Sequence, residues 1–272
     1  MTEQADREWR LIREEARPGP MQMALEEVAA ETAAAGGPRT VRVYRWEPST
    51  LSLGYHQDAA TVDWEYCGRE GIGVTRRQTG GGGIYHDVDG DISYSIVAPA
   101  AELPGDLMDC YEQLCTPIFD AFERMGIDAA FADEEHPSIH QPACYLRAVN
   151  PAHDILAGGK ISGNAQYRQR DAVIQHGSLS YSLAPERHLG TFATDDVTPE
   201  QFTDRVTSIH EQSGIDRWEA VATLESALQE WADATVGAWT DSELDRARGI
   251  AEQKYESDAW NRDRTDPLSS RA

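Results

Sequence analysis

The chain has 272 residues and a mass of 30.1 kDa, with 40% hydrophobic residues and seven tryptophans, which is enough to build the core of one large domain. Its net charge is −23, from 47 acidic and 24 basic residues, and this argues against the basic surface that nucleic-acid binding requires. No stretch approaches the roughly 20 apolar residues of a membrane span, and the charged N-terminus lacks the apolar segment of a secretory signal. The composition therefore predicts a cytoplasmic globular protein that binds neither nucleic acid nor a membrane.

Helical and strand periodicities alternate along the whole chain. Apolar residues recur at helical spacing in 20–35, and Gly36-Gly37-Pro38 ends that helix. The predicted strands are 40–48, 49–56, 90–99 and 172–183, with a short strand and a glycine turn in 71–87 and a hairpin in 153–166. The further predicted helices are 106–126, 197–211, 217–236 and 241–256. This mixture predicts an α+β fold.

No repeat or linker divides the chain, so we predict one domain. Its expected extent is 20–261, preceded by an N-terminal extension, 1–19, and followed by a disordered tail, 262–272.

The four cysteines, Cys67, Cys110, Cys115 and Cys144, have spacings that match no zinc-binding pattern. Without a secretory signal they are predicted to be free thiols. Each is then either a small core residue or a nucleophile, and the helical pattern around Cys110 and Cys115 indicates that these two pack in the core.

Lysine is rare, because the basic residues other than Lys160 and Lys254 are all arginine. An acidic, lysine-poor surface resembles that of proteins from salt-loving organisms, where it serves solubility and has no bearing on the fold. A lysine kept at position 160 indicates a use for a compact ammonium, although a solvated hairpin lysine is the alternative.

Residues 76–87, RRQTGGGGIYHD, place four glycines between two cations and a His-Asp pair. Ordering four glycines is costly, but it lets backbone N–H groups approach an anion or a thin ligand. Arg76 and Arg77 are candidates to neutralise a phosphate or carboxylate, and His86 and Asp87 to fix the far end of a ligand. A flexible hairpin tip is the alternative, and the glycine spacing matches neither a Walker loop nor a dinucleotide-binding fingerprint.

Several motifs resemble, in order, those of the lipoate–protein ligase and octanoyltransferase family, relatives of the biotin–protein ligases. RRQTGGGGIYHD resembles its signature RRxSGGGAVYHD, with Thr79 in place of serine, and GGKISGNAQYRQRDAVIQHGSLSY (158–181) resembles its G-[RK]-K-[IV]-[SA]-G-[NS]-A-Q…HG-[ST]-[IL] segment. MALEE (23–27), WEPSTLSLGYHQ (46–57) and KYESDAW (254–260) resemble the N-terminal helix, second strand and closing motif. The resemblance implies a central mixed β-sheet flanked by helices, as in class II synthetases and biotin–protein ligases, with a tunnel for a linear C8 acyl chain.

The resemblance also implies catalytic roles for Cys144 and Lys160. Cys144 lies 16 residues before Lys160 and is followed by a tyrosine. Gram-positive-type octanoyltransferases have a nucleophilic cysteine at about this position, in a Cys-Phe loop. Lys160 matches the family lysine that holds the acyl carbonyl or acyl-adenylate. A nearby cation would stabilise a Cys144 thiolate. Between Cys144 and Lys160 the transferases read close to PSxYE and the ligases carry Asn-Asp, whereas this chain reads NPAHD, which is intermediate between the two. The alternative for Cys144 is therefore a buried or incidental thiol. The residues implied to bind the acyl group or ligand are Arg77, Gly80, Gly81, Gly82, Gly83, Tyr85, His86, Gly163, Asn164, Ala165 and His176 (for which a structural role is equally open), with no metal ligand.

The activity implied is protein lipoylation. An octanoyl or lipoyl group would pass from a thioester donor (acyl carrier protein, coenzyme A or a lipoyl domain) to Cys144, and then to the acceptor lysine of a lipoyl domain in a 2-oxoacid dehydrogenase or glycine cleavage H protein, without a cofactor. The alternative is a lipoate–protein ligase that uses free lipoate, ATP and Mg²⁺ through lipoyl-AMP, with a small accessory subunit. The donor, the acceptor complex and the oligomeric state stay open at this stage.

Two more distant alternatives are a metal-binding protein and a non-catalytic binder of lipoyl domains. His136, His140 and Cys144 are four residues apart, as ligands on a helix would be, but Pro137 and Pro142 disfavour a helix there. The lysine and the intact glycine loop argue against a non-catalytic binder. Biotin ligase is disfavoured because its GRGRxGR-type loop is missing.

Overall fold

The structure is a computed structural model that describes residues 8–134, 136–149, 154–169 and 171–269. Its strands are β1 (Trp9–Arg17), β2 (Arg39–Trp46), β3 (Thr50–Leu53), β4 (Gly73–Arg76), β5 (Ile84–His86), β6 (Asp91–Pro99), β7 (Ala130–Phe131), β8 (Asp154–Leu156), β9 (Lys160–Gln169), β10 (Ala172–Ser180) and β11 (Thr235–Val236). Its α-helices are α1 (Gly19–Ala34), α2 (Trp64–Arg69), α3 (Leu107–Arg124), α4 (Pro185–Gly190), α5 (Pro199–Thr203), α6 (Ile209–Ser213), α7 (Arg217–Ala232), α8 (Asp241–Ile250) and α9 (Asp258–Asn261). In the part of the chain so described, no helix is both long and apolar enough to cross a membrane.

Eight strands form one mixed sheet in the order β11-β1-β2-β6-β10-β9-β8-β7. β1 runs parallel to β11 and β2, and every other neighbouring pair is antiparallel. A separate three-stranded sheet, β4-β3-β5, has β3 parallel to β4 and antiparallel to β5. The predicted mixed sheet flanked by helices is thus confirmed, with a second small sheet beside it.

Helices cover both faces of the large sheet. α3 and α7 pack on one face through side chains such as Leu114, Ile118 and Leu224. α1 and α8 pack on the other, where Met23 and Ile250 belong to a second apolar cluster. A third cluster fills the space between the small sheet, α4, α5 and the turn that follows Ala143. Each sheet therefore has its own core, and the two sheets meet where β5 faces the end of β2.

The N-terminal segment differs from the predicted extension. β1 lies inside the large sheet and pairs with β2 over most of its length. Its charges made it look like a solvated arm, but they are paired with helices: Arg10 bonds Glu243 at 2.6 Å, and Arg217 bonds Glu14 at 2.7 Å. Leu11 and Ile12 supply the buried contacts. The domain therefore begins at or before Trp9.

The predicted helix 197–211 is two short helices with an extended break between them. Thr198 caps α5 and Ser208 caps α6, so the hydroxyl groups that start each helix also separate them. Within the break, Lys160 N donates to Arg205 O at 2.8 Å, and Thr207 N donates to Lys160 O at 3.1 Å. The interruption therefore fixes the backbone of Lys160.

The C-terminal segment is more ordered than predicted as far as Ser269. The helix predicted over 241–256 passes into a π-helical turn at Ala251–Tyr255. Beyond α9, Asp266 bonds the buried Lys254 at 2.9 Å, and Leu268 packs against the α1–α8 cluster. The last three residues lie outside the described part of the chain. These contacts extend the packed domain past the predicted boundary at 261.

Candidate active site

A cavity of about 450 Å³ lies between the two sheets. The glycine loop and the turn that carries Cys144 form one side, and β9 and β10 form the other. Of the residues that the family resemblance implied, all except Gly83 and Tyr85 line it, whereas Arg76 and Asp87, proposed from the glycine-loop sequence, do not. The lining residues that the sequence analysis did not identify include Met23, Tyr44, Trp46, Ser52, Ile84, Ser93, Leu107, Tyr111, Gln141, Arg147, Ala148, Asp154, Gln166, Gly177 and Ser178.

Arg77 braces the glycine loop from beneath. Its buried guanidinium donates to the carbonyl oxygens of Ser52, Gly80 and Gly82 at 2.7, 2.9 and 2.6 Å, and to Thr79 Oγ1 at 3.1 Å. Burial lowers the pKa of Arg77, while the negative charge of a neighbouring Cys144 thiolate would oppose that fall. The arginine therefore holds the loop in shape as well as bringing positive charge to the cavity wall.

Arg76 has no access to the cavity. Its guanidinium donates to Gly54 O, Tyr55 O and Gln57 O at 2.7–3.0 Å and to Asn261 O at 2.7 Å. Burial lowers its pKa to about 10. The expectation that Arg76 neutralises a ligand is therefore wrong, because its donors are used to join the small sheet to the C-terminal segment.

The last two glycines of the loop seat the turn that carries Cys144. Gly83 N donates to Pro142 O at 2.7 Å, and Cys144 N donates to Gly83 O at 2.8 Å. A Cβ on Gly82 would stand 2.8 Å from both Pro142 O and Cys144 N. Only a residue without a side chain allows the turn to come this close. Gly83 thus contributes through its backbone from behind the cavity wall.

Cys144 differs from the other three cysteines in its exposure. It begins a 3₁₀ turn, Cys144–Leu146, and is half-buried on the cavity wall, whereas Cys67, Cys110 and Cys115 are buried. Burial raises the pKa of Cys67 to about 11 and that of Cys115 to about 12. Those thiols are inert core residues, as predicted for Cys115, and Cys144 is left as the accessible one.

Lys160 contacts Cys144 at the cavity wall. Its ammonium, on a side chain only 2% exposed, donates to Asp154 Oδ1 at 2.7 Å and to Cys144 O at 3.0 Å. Both groups face Gly163, where a Cβ would stand 3.5 Å from Cys144 Sγ and 3.9 Å from Lys160 Nζ. The space left by the missing side chain of Gly163 is therefore bounded by a thiol and an ammonium, as a carbonyl group bound between them would require.

The two histidines of the site are held at both ring nitrogens. His176 Nδ1 lies 2.9 Å from Glu26 Oε2 and its Nε2 lies 2.7 Å from Thr79 Oγ1. His86 Nδ1 lies 3.2 Å from Asp91 Oδ2 and its Nε2 lies 2.8 Å from Ser52 Oγ. Both line the cavity, but these partners leave neither ring a nitrogen to offer a substrate in this arrangement.

Burial and neighbouring charges shift the pKa values of His86 and Glu26 in this layer. Burial lowers the pKa of His86, which stacks on Trp46 at 4.1 Å between ring centroids. For Glu26, burial alone would raise the pKa, but His176 and Arg42 beside it bring the pKa below its usual value. The Glu26–His176–Thr79 chain thus connects α1 to the glycine loop through an ionised carboxylate.

Tyr85 points away from the cavity. Its hydroxyl donates to Asp87 Oδ2 at 2.8 Å, and its ring lies 6.1 Å from that of His188, behind the small sheet. The strand alternation explains this, because Ile84 and His86 face the cavity and the residue between them must face the other way. Tyr85 is therefore not placed to touch an acyl group, contrary to expectation.

The proposed His136–His140–Cys144 metal set is not assembled. His140 bonds Asp196 at 2.8 Å instead, and Cys144 faces the cavity. Within the described ranges there is no group of three His, Cys, Asp or Glu side chains suited to a metal ion.

Comparison with protein families matches residues 18–230 to the lipoyl protein ligase A/B catalytic domain. Among curated relatives, the octanoyltransferase LipM of Geobacillus kaustophilus is 30% identical, over 93% of this chain and 97% of the relative. LipM of Bacillus subtilis is 27% identical, over 82% and 86%.

Solved structures show the same fold. A lipoate-protein ligase A bound with ATP has a TM-score of 0.78 and 25% identity, covering 93% of this chain and 98% of that one. A putative lipoate protein ligase of Thermoplasma acidophilum with bound lipoic acid has a TM-score of 0.77 and 25% identity, covering 94% and 99%.

Proposed function

Because the chain belongs to the lipoyl protein ligase A/B catalytic-domain family, we propose that it is an octanoyltransferase of protein lipoylation that carries the acyl group on Cys144. The observation that carries the proposal is the convergence of Cys144 Sγ and Lys160 Nζ on Gly163, within 4 Å of the position that its Cβ would take. The 30% identity to a curated LipM octanoyltransferase over almost the whole of both chains supports the same reaction.

In the first half-reaction the Cys144 thiolate attacks the carbonyl carbon of an octanoyl thioester. A C–S bond forms to Cys144, and the donor leaves as its own thiolate. Lys160, next to the carbonyl above Gly163, stabilises the negative charge on the carbonyl oxygen, together with the backbone of β9. Lys160 is prepared for this by its ion pair with Asp154 and by the two backbone hydrogen bonds that fix its strand.

The acyl tail extends from Cys144 into the apolar part of the cavity. Met23, Trp46 and Ile84 provide that surface, and burying the methylene groups contributes roughly 0.8 kcal/mol for each one. The glycine loop closes over the tail, and Arg77 keeps the loop in place from below.

In the second half-reaction a lysine of a lipoyl domain attacks the acyl-enzyme. A C–N amide bond forms, and the C–S bond to Cys144 breaks, so the thiol is returned. This sequence needs no cofactor. The acyl donor is a thioester of acyl carrier protein, coenzyme A or a lipoyl domain, and the acceptor belongs to a 2-oxoacid dehydrogenase or glycine cleavage H protein. The cytoplasmic location and the salt-loving source stay predictions.

An ATP-dependent lipoate–protein ligase is the second candidate, because the fold also matches a lipoate-protein ligase A bound with ATP. That reaction would use ATP and Mg²⁺ to make lipoyl-AMP and would call for a small accessory subunit. Lys160 would then hold the adenylate, and Cys144 would have no covalent role. The accessible thiol beside Lys160 favours the transferase.

The test is to mix the purified protein with octanoyl-coenzyme A, without ATP, and to record its intact mass. A hydroxylamine-labile octanoyl adduct that is absent in Cys144→Ser and Cys144→Ala is the expected result. No adduct, together with ATP-dependent formation of an acyl-adenylate from octanoate or lipoate, would instead establish the ligase.

A further inference from the structure

The charge of the cavity wall is opposite to that of the protein. The chain carries 47 acidic residues, yet the cavity is lined by three cations, Arg77, Arg147 and Lys160, and by Asp154 alone among the carboxylates of the described residues. A single acid in a cationic pocket of an acidic protein needs an explanation beyond solubility. It bonds the Lys160 ammonium and lies opposite Gly163 in the sheet, which places it at the part of the wall where a substrate would meet Cys144.

Asp154 is buried at the cavity wall. It lies on β8 opposite Gly163 of β9, and its side chain is 7% exposed. Its Oδ1 accepts from Lys160 Nζ at 2.7 Å. An ionised carboxylate can accept several hydrogen bonds, so a second ammonium that enters the cavity can be bound by the same group. The acceptor lysine of the second half-reaction brings such an ammonium to Cys144.

We propose that Asp154 receives the acceptor lysine and takes a proton from it before attack on the Cys144 acyl-enzyme; this assignment rests on the transferase function proposed above. An ammonium has no electron pair with which to attack. Lys160, Arg77 and Arg147 around the cavity disfavour a further positive charge, which makes the incoming lysine easier to deprotonate. Asp154 is the acceptor that the wall offers at that place.

The proposed step is balanced as follows. One proton passes from the lysine ammonium to Asp154, and the freed electron pair forms the C–N bond. The C–S bond breaks and its electron pair returns to Cys144 Sγ, which takes the second proton from the nitrogen as the amide forms. Asp154 then releases its proton to water. The products are the acylated lysine and the free thiol.

The experiment separates the two half-reactions in Asp154→Asn. Acyl-enzyme is formed with octanoyl-coenzyme A, freed of donor, and discharged either with a purified lipoyl domain or with hydroxylamine, which is uncharged at neutral pH and needs no base. We expect discharge to the lipoyl domain to slow by about 100-fold or more, in the range of general acid–base effects, with the loss in kcat rather than in KM. Discharge to hydroxylamine should slow at least about 10-fold less, because it loses only the support that Asp154 gives to Lys160 and not a proton acceptor.

Glu27→Gln is the matched control. Glu27 bonds Lys254, the other lysine of the chain, at 2.8 Å with both side chains buried, and it does not line the main cavity. The Glu27→Gln substitution therefore removes a buried lysine–carboxylate ion pair of the same kind, but at a place away from Cys144. We expect this variant to discharge to both nucleophiles as wild type does.

Three results would overturn the assignment. Equal slowing of both nucleophiles in Asp154→Asn would mean that Asp154 acts only by holding Lys160, and wild-type discharge to the lipoyl domain would mean that it has no role. A wild-type protein that forms no acyl-enzyme would reject the transferase function, and the role of Asp154 with it. If Asp154→Asn does not fold, Asp154→Glu replaces it. The displaced carboxylate should slow lysine discharge much more than hydroxylamine discharge, and equal effects on both would again overturn the proposal.

Discussion

Gly82→Ala tests whether the glycine loop exists to bring the Cys144 turn close. The new Cβ would stand 2.8 Å from Pro142 O and Cys144 N, so the turn must retreat by roughly 0.6 Å to reach an ordinary contact of 3.4 Å. Overpacking of this kind costs about 1–3 kcal/mol, which corresponds to a fall in Tm of roughly 2–6 °C for a chain of this size. Since a displacement of about 1 Å at a reacting group can cost about 100-fold, acyl-enzyme formation should slow by about 10- to 100-fold.

The assay is the single-turnover rate of octanoyl transfer to Cys144, followed by intact mass, with Tm from circular dichroism. Gly80→Ala is the comparison, because a Cβ there meets no atom within 4 Å, and its Tm should equal that of wild type. A wild-type transfer rate in Gly82→Ala would refute the packing argument. If both variants lost the same activity without loss of Tm, the glycines would serve the passage of the acyl chain instead.

Three other predictions concern reactivity, space and acid stability. Iodoacetamide should modify only Cys144 in the native protein and all four thiols after unfolding, as counted by mass; rapid native labelling of a second cysteine would contradict the burial described above. Gly163→Ala places a methyl group 3.5 Å from Cys144 Sγ and 3.9 Å from Lys160 Nζ, so it should fold normally but slow acyl-enzyme formation by about 100-fold, and normal activity would show that the carbonyl binds elsewhere. Arg10 helps to lower the pKa of Glu243 to about 2, so this carboxylate stabilises the fold above pH ~4.5, and that stability is lost as the pH falls towards 2. In urea unfolding at pH 7, the free energy of unfolding of wild type should exceed that of Glu243→Gln by about 1–2 kcal/mol. A difference that did not shrink at pH 3 would refute the pairing.

Local patterns predicted most of the fold. α1, β6 and α3 match their predicted bounds to within a residue or two. The two helices each face one apolar cluster, and β6 is a short apolar run buried on both faces of the sheet. β1 was not predicted as a strand because about half of its residues are charged, and the partners of these charges on α7 and α8 are more than 200 residues away in the chain. The break between α5 and α6 exists to pair with Lys160, which is again a contact between distant segments.

The residues of the candidate site could likewise be predicted only where they lie in a short motif. Cys144, Lys160 and the glycine loop were found through motif resemblance, since each is a short contiguous signature. Arg147 carries no such signature, and Asp154 ends the NPAHD segment, which matched neither family pattern. Their position on the cavity wall depends on how β8 and the Cys144 turn fold back against the glycine loop. The wrong expectations for Arg76 and Tyr85 arose from adjacency in sequence, because neighbours on a strand point to opposite sides.

The burial of both lysines has a consequence for a protein that handles activated acyl groups. A thioester transfers its acyl group to any accessible neutral amine, including those of the protein that holds it. Lys160 and Lys254 are 2% and 3% exposed, each is bound to a carboxylate, and every other basic side chain except histidine is arginine, whose guanidinium stays protonated. Outside the cavity, where Lys160 bonds Asp154, the described surface therefore offers an acyl donor no lysine to modify, which limits self-acylation during turnover.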